Sequence, residues 1–264
     1  MKKGRLKRNM YINFGLAHGV TSVRGVGLGS LEFTLSEKER SAKNEITAPR
    51  IWAYQRAGGG KDWKGGPVRD PETARKWVRY AAKKGIDGLK LSAYEPSLMA
   101  ALIDEATKQN LGTTAHLGQT GVARMNTIDA ARLGLGTQTH YYGLFESMYE
   151  NNDVQPWPVD MNYSNEQHRF GQVARQWNLV NPNGEKWEEL KKELLSLDFT
   201  LDPTMTIYSA GRDVMGAPNA DWHKNIHYRL NGISIRLAEE HMVHTGLTGQ
   251  LMMKLPGKNS IRFG

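Results

Sequence analysis

The sequence predicts an α/β fold built on a parallel sheet, and three observations support this fold class. Short apolar runs alternate with segments of helical periodicity along most of the 264 residues. Glycine- and proline-containing turns separate these segments. Three apolar runs end in a reactive side chain, at Lys90, His116 and His140, with spacings of 26 and 24 residues. Each spacing fits one strand and one crossover helix, which together form the repeating unit of a parallel sheet.

Six strands are predicted along the chain. A closed (β/α)₈ barrel has eight, and the body of the chain has no room for two more. The expected fold is therefore a partial (β/α)₈ TIM-like barrel with about six parallel strands. These strands are predicted near residues 20–27, 50–56, 86–92, 112–117, 137–142 and 199–207.

Helices are predicted between the strands from apolar residues at helical spacing and from proline and glycine at the ends. The polar and mixed residues 31–48 are predicted to form a long loop instead. The predicted helices cover residues 71–85, 95–110, 121–134, 165–177 and 185–197. Their expected core residues include Trp77, Val78, Ala81, Leu98, Leu102, Ile103 and Ala106.

Composition excludes several classes of site and partner. The chain has no Cys, which excludes disulfides and thiolate metal sites. The net charge of +8 is confined to residues 1–8 and 225–264, and the body between them is neutral. Basic ends on a neutral body are weak support for nucleic-acid binding, so we expect no nucleic-acid partner. No apolar run is long enough to span a membrane, and a small-molecule substrate is the expected partner.

The three reactive side chains are expected to converge. Parallel strands with helical crossovers place all their carboxyl ends on one rim, where barrel enzymes have their active sites. Lys90, His116 and His140 would therefore lie together. A neutral imidazole at a strand end is a common zinc or iron ligand. The alternative is a pair of hydrogen-bonded histidines that hold no metal.

Lys90 lies within an apolar strand, where a lysine is costly unless it is paired or modified. One interpretation is a salt bridge with a neighbouring acid such as Asp87. The others are a metal-bridging ligand formed by carbamylation, or a base with a depressed pKa. Arg56, Tyr94 and Tyr142 are predicted from their positions to line the substrate pocket.

Four segments together resemble the amidohydrolase superfamily, and its imidazolonepropionase- and prolidase-like branch in particular. They are GVTSVRGV, the strand that carries Lys90, GTTAHLGQTGVARMNTIDAARLGLGTQTHYYGLFESM and FTLDPTMTIYSAGRD. The likeness covers about residues 16–224 and includes the order and spacing of the ligands. His116 and His140 match the family's metal-ligand histidines, and Lys90 matches its often carbamylated lysine.

The resemblance implies a metal-dependent hydrolase that acts on a C–N bond, of a dipeptide or a non-peptide compound, with zinc or another divalent metal. In such sites the metal lowers the pKa of bound water to about 7 and polarises the scissile carbonyl. The resemblance also implies that the first and eighth strands are missing, together with the family's His-x-His pair and catalytic Asp. The alternative function is therefore a non-catalytic barrel remnant without hydrolase activity.

Both ends of the chain are predicted to be frameshifted translations. When residues 225–264 are back-translated and read from the third base of each codon, the allowed sequence is rich in aromatic and acidic residues, as in the family. The same operation on residues 7–15 allows an amphipathic helix that leads into the barrel. We therefore expect residues 16–224 to form the partial barrel and residues 1–15 and 225–264 to be frameshifted tails. The alternative is that these tails are genuine and divergent.

Overall fold

The computed structural model describes residues 15–25, 29–149 and 156–205. Six strands form one sheet in chain order, and every neighbouring pair is parallel. The sheet is a curled half barrel with flanking helices, so the predicted partial α/β barrel is confirmed. The strands are β1 (Ser22–Gly25), β2 (Arg50–Gln55), β3 (Gly88–Leu91), β4 (Gly112–Ala115), β5 (Thr137–Thr139) and β6 (Thr200–Asp202).

Within the described ranges, six α-helices and one short 3₁₀ helix connect or follow the strands. The 3₁₀ helix covers Glu146–Met148. None of the helices in the described part of the chain is long and apolar enough to cross a membrane. The α-helices are α1 (Leu31–Ala42), α2 (Pro71–Lys84), α3 (Pro96–Lys108), α4 (Thr127–Arg132), α5 (Glu166–Trp177) and α6 (Glu185–Ser196).

The chain divides into two compact units. The first contains the whole sheet and consists of residues up to Met148 together with Trp187–Asp202. The second contains Tyr149–Lys186 and the residues from Pro203 onward. In the described part of the second unit, the buried Tyr149 hydroxyl donates a hydrogen bond to the Gln176 side-chain oxygen.

The core of the first unit lies between the sheet and the helices that pack on its outer side. Strand β3 is buried at all four positions, as expected for a central parallel strand. The seven helix residues predicted to be buried from their spacing are all buried. Asp70 caps the start of α2, and Gly85 ends it in the left-handed conformation with φ of 95°.

The predicted loop over residues 31–48 is wrong, because residues 31–42 form helix α1. Its start is capped by the Ser30 side chain, which accepts a hydrogen bond from the Phe33 backbone N–H. The buried face of α1 consists of Leu31 and three polar residues, Thr34, Glu37 and Ser41. An apolar stripe, the usual signal of an amphipathic helix, is therefore missing from this segment.

The helix predicted over 121–134 is shorter than expected and covers Thr127–Arg132. Asn126 begins it with a capping box, in which its side chain accepts from the Asp129 N–H and the Asp129 carboxylate accepts from the Asn126 N–H. This reciprocal cap fixes the start of α4 at residue 126. The preceding residues, from 119 to 125, form turns.

The side chain of Tyr54 lies on the face of the sheet that faces away from the helices. Its ring lies against two glycines of the neighbouring strands, Gly88 and Gly112. A Cβ atom on Gly88 would lie 2.5 Å from the Tyr54 ring and 2.5 Å from the Gly112 carbonyl oxygen. The two glycines are therefore required for the close approach of this ring.

Residues 1–14 and 206–264 lie outside the described residues. The frameshift interpretation of the two tails, and the assignment of the missing strands as the first and the eighth, therefore remain predictions.

Candidate functional site

The register of the sheet brings the predicted ligands to one rim. Lys90 on β3 is opposite Thr114 on β4, and Thr139 on β5 is opposite Asp202 on β6. His116 directly follows β4, and its backbone N–H donates to the Leu91 carbonyl at 3.0 Å. His140 directly follows β5. All of these residues belong to the carboxyl ends of neighbouring parallel strands.

The two histidines lie side by side. The His116 and His140 ring centroids are 4.8 Å apart, and the rings meet at 78°. The ring of Tyr142 packs edge-on against both imidazoles, with its centroid 5.3 Å from His116 and 6.4 Å from His140. Tyr142 is buried. Tyr142 therefore packs against both histidine rings.

The backbone of His140 has an uncommon conformation. Its φ of 69° lies in the left-handed region, which few non-glycine residues adopt. A hydrogen bond of 2.9 Å from its N–H to the Asp202 carbonyl holds this conformation. Burial and the nearby Lys90 charge lower the pKa of the His140 imidazole, and the Asp202 carboxylate opposes this shift. The neutral imidazole, which is the form that binds metals, is favoured.

Lys90 is buried, and its ammonium group is held by a hydroxyl. Lys90 Nζ donates to Thr139 Oγ1 at 2.6 Å, and Thr139 Oγ1 donates to the Ala115 carbonyl at 3.0 Å. The salt bridge with Asp87 is not formed. Asp87 instead pairs with Lys38 at 2.7 Å and accepts from the Ala53 backbone N–H at 2.6 Å.

Burial and, to a smaller extent, the charges of Arg24 and Arg56 together lower the pKa of Lys90 to about 8, against the opposing effect of the Asp202 carboxylate. An ordinary lysine has a pKa of 10.5. A substantial fraction of Lys90 is therefore a neutral amine slightly above neutral pH. This is the form that reacts with carbon dioxide to give a carbamate or accepts a proton as a base.

A cavity of about 520 Å³ opens at this rim, and we refer to it as the rim cavity. Of the three predicted ligands, Lys90 lines it. The volume is in the range of small-molecule sites. The rim cavity is lined by residues 22–24 of β1 and by Trp52, Lys90, Thr114, Thr139 and Asp202.

Sequence reasoning missed two charged residues of the rim cavity, Arg24 and Asp202. Arg24 Nη2 donates to Asp202 Oδ2 at 2.9 Å, which joins the first strand to the sixth. The guanidinium also lies over the Tyr54 ring, with its carbon 5.6 Å from the ring centroid. Both residues are charged side chains within or at the end of a predicted strand. The same signal singled out Lys90, and it could have found them.

The three residues predicted to line the substrate pocket lie in the same region, although their role stays a prediction. Arg56 follows β2 and is close enough to lower the pKa of Lys90. Tyr94 is half-buried, and burial raises the pKa of its phenol while the Arg56 charge opposes this shift. Tyr142 packs on the histidines.

The spacing of the two histidine rings is that of two imidazoles on one metal ion, and it is equally that of two packed aromatic rings. Zinc–nitrogen distances of about 2 Å and a tetrahedral angle place two bound imidazole centroids about 5 Å apart. The observed 4.8 Å agrees with this value. However, the described residues contain no group of three or more His, Cys, Asp or Glu that could hold a metal ion. A catalytic zinc site has three protein ligands, and the described His, Cys, Asp and Glu residues do not complete one.

Comparisons with known proteins give only distant likenesses. No protein-family model and no curated protein matches the chain. One solved structure, an uncharacterized protein, has 18% identity and a TM-score of 0.39, with 72% of this chain and 55% of that chain covered. Another is a Xaa-Pro dipeptidase with bound methionine in its active site, with 17% identity, a TM-score of 0.40, and 80% and 55% covered. The chain therefore spans about half the length of each.

Proposed function

We propose that this chain carries part of the active site of a metal-dependent hydrolase that cleaves a C–N bond of a small molecule. The observation that supports it most is the arrangement of the rim, where two adjacent imidazoles and a lysine of lowered pKa meet. The residue pattern around them resembles the amidohydrolases in order and spacing. A bound divalent metal would supply an activated water and polarise the scissile carbonyl.

In this proposal the chain's own residues have separate roles. His116 and His140 hold the metal, and Tyr142 keeps the two rings at a fixed angle. Lys90 would offer an oxygen ligand as a carbamate, which its neutral amine forms with carbon dioxide while a proton is released to the buffer. Thr139 positions the Lys90 side chain through the hydrogen bond to Nζ.

The experiment is a hydrolysis assay on the full chain loaded with zinc in bicarbonate buffer. Dipeptides and N-acyl amino acids are the substrates, and the release of amino groups is the readout. We expect Lys90→Arg, His116→Asn and His140→Asn to reduce the rate to that of buffer. The matched control is His18→Asn, because His18 is exposed and is not part of the rim. Equal rates in parent and His116→Asn would contradict the proposal.

A second candidate is a barrel remnant without catalytic activity. The observation that favours it is the incomplete ligand set among the described residues. It predicts a folded chain that hydrolyses none of the substrates with zinc present. Hydrolysis that depends on His116 and His140 would exclude this alternative.

A further inference from the structure

The charges around the rim cavity are unevenly distributed. Arg24 and Lys90 line it, and Arg56 is near enough to act on Lys90, whereas Asp202 is the one carboxylate among the lining residues that the structure describes. An arginine keeps its charge at all accessible pH values. Positive groups that converge on one cavity favour an anionic ligand, because the ligand relieves their mutual repulsion.

Arg24 presents its guanidinium to the cavity in a fixed position. The guanidinium lies over the ring of Tyr54, which is itself held against Gly88 and Gly112. One of its nitrogens pairs with Asp202. The Arg24 and Asp202 side chains are 31% and 49% exposed, and ion pairs this accessible to water are weak. A carboxylate from solution can therefore compete with Asp202 for Arg24.

A hydroxyl without a partner lies in the same cavity. The Thr114 side chain is 2% exposed, and its Oγ1 has no hydrogen-bond partner among the described residues. A buried hydroxyl normally finds a partner, and one left unsatisfied indicates a water or a ligand. Thr114 is directly opposite Lys90 in the sheet register, so its hydroxyl and the Lys90 ammonium belong to the same level of the cavity.

Trp52 supplies an apolar surface beside these donors. It is opposite Arg24 in the register and lines the cavity, yet 47% of its surface is exposed. A large aromatic side chain that remains this exposed inside a cavity is suited to pack against the apolar part of a ligand.

We propose that the rim cavity binds a small carboxylate with an adjoining flat apolar group, and that Asp202 is an internal competitor for Arg24. The carboxylate accepts hydrogen bonds from Arg24 and Thr114, and the apolar group packs on Trp52. The proposal names the substrate class of the hydrolase site and rests on the proposed function in that respect. Binding of the anion itself needs no metal.

The test is calorimetric titration of the full chain, freed of metal by a chelator, with hippurate. Hippurate combines a carboxylate with a benzoyl group, and hippuramide is the neutral probe of the same shape. We expect hippurate to bind and hippuramide to bind at least about tenfold more weakly, because hydrogen bonds to charged groups are worth more than neutral ones. Absence of hippurate binding by the folded chain at millimolar concentration would overturn the proposal.

Two variants that break the same ion pair are expected to have opposite effects. Arg24→Gln removes the main cation, and we expect hippurate affinity to fall about tenfold or more. Asp202→Asn removes the competitor. We expect hippurate affinity to rise only about threefold, because a partly exposed ion pair is weak. The control Arg69→Gln changes an exposed arginine outside the cavity and should leave affinity unchanged.

A purely structural role for the ion pair would make both variants bind more weakly, and that result would overturn the proposal. Circular dichroism shows whether each variant is folded. If Arg24→Gln does not fold, the hippurate affinity of Asp202→Asn decides the test. Hippurate binding without zinc binding would leave this inference standing while the hydrolase proposal fails. Zinc-dependent hydrolysis without hippurate binding would leave the hydrolase proposal standing while this inference fails.

Discussion

Lys90 is the residue whose chemistry depends most on its surroundings. Its amine is buried, faces two arginines and has a single described hydrogen-bond acceptor, the Thr139 hydroxyl. A hydroxyl stabilises an ammonium less than a carboxylate does. The combination lowers the pKa of Lys90 to about 8. Of the interpretations open from the sequence, the salt bridge with Asp87 is not formed, and the lowered pKa is compatible with both a carbamylated ligand and a base.

This shift makes a prediction about the pH dependence of stability. Below pH 8 Lys90 is protonated in both the folded and the unfolded chain. Between about pH 8 and 10.5 the unfolded chain binds more protons, so the free energy of unfolding rises with pH. The wild-type chain should therefore gain on the order of 2 kcal/mol relative to Lys90→Met across this window. Urea denaturation at several pH values measures the difference.

The control for this measurement is Lys76→Met, which removes a lysine from an exposed ion pair with Glu72. It should keep the wild-type rise between pH 8 and 10.5. A constant difference between wild type and Lys90→Met over this range would show that the amine is not desolvated in the folded chain.

At the residue scale, the sequence predicted the position of the candidate site better than it predicted which residues line that site. The convergence of Lys90, His116 and His140 follows from strand spacing alone, since parallel strands end on one rim. Asp202 and Arg24 carry the same local signal as Lys90, a charged side chain on a predicted strand, but the ion pair between them joins residues far apart in the chain, and no local pattern records that pair.

At the element scale, helix α1 is the element that the sequence did not predict. Its buried positions are occupied by Thr34, Glu37 and Ser41, so the periodicity of apolar residues that reveals α2 and α3 is lacking. The remaining sequence signal is Ser30, a favourable residue at a helix start. Helix α1 thus depends on its cap and on contacts with the sheet more than on an apolar stripe.

Removal of this cap should destabilise the chain. Ser30→Ala deletes the oxygen that accepts from the Phe33 N–H, and we expect the free energy of unfolding to fall by about 1 kcal/mol. Chemical denaturation provides the value. Ser97→Ala, at an exposed position in the first turn of α3, serves as the matched control and should change stability by less than about 0.5 kcal/mol. Equal effects of the two substitutions would refute a capping role for Ser30.

The contact of Tyr54 with two strands gives a second prediction at this scale. Gly88→Ala would place a Cβ atom 2.5 Å from both the Tyr54 ring and the Gly112 carbonyl oxygen. Overpacking of this kind should lower the free energy of unfolding by about 1–3 kcal/mol. Gly59→Ala is the comparison, because a Cβ atom there meets nothing within 4 Å. Wild-type stability of Gly88→Ala in thermal and urea denaturation would contradict this packing.

At the scale of the whole molecule, the sheet was predictable from the sequence. All six strands lie where the sequence placed them. Strand β3 is a fully buried apolar run bounded by turns, whereas β6 is exposed at all three positions. The chain divides into two compact units, of which the second consists of Tyr149–Lys186 and the residues from Pro203 onward. The ligand set is incomplete in the described part of the chain.

The measurement that tests the central claim most directly is zinc binding by the purified full chain in bicarbonate buffer, followed by calorimetry and metal analysis. We predict one zinc ion per chain, lost in His116→Ala and in His140→Ala, weakened in Lys90→Ala and retained in His18→Ala. The adjacent imidazoles and the lysine of lowered pKa are the basis of this result. Undiminished zinc binding by the His116→Ala, His140→Ala double variant, or none by the folded parent chain, would contradict it.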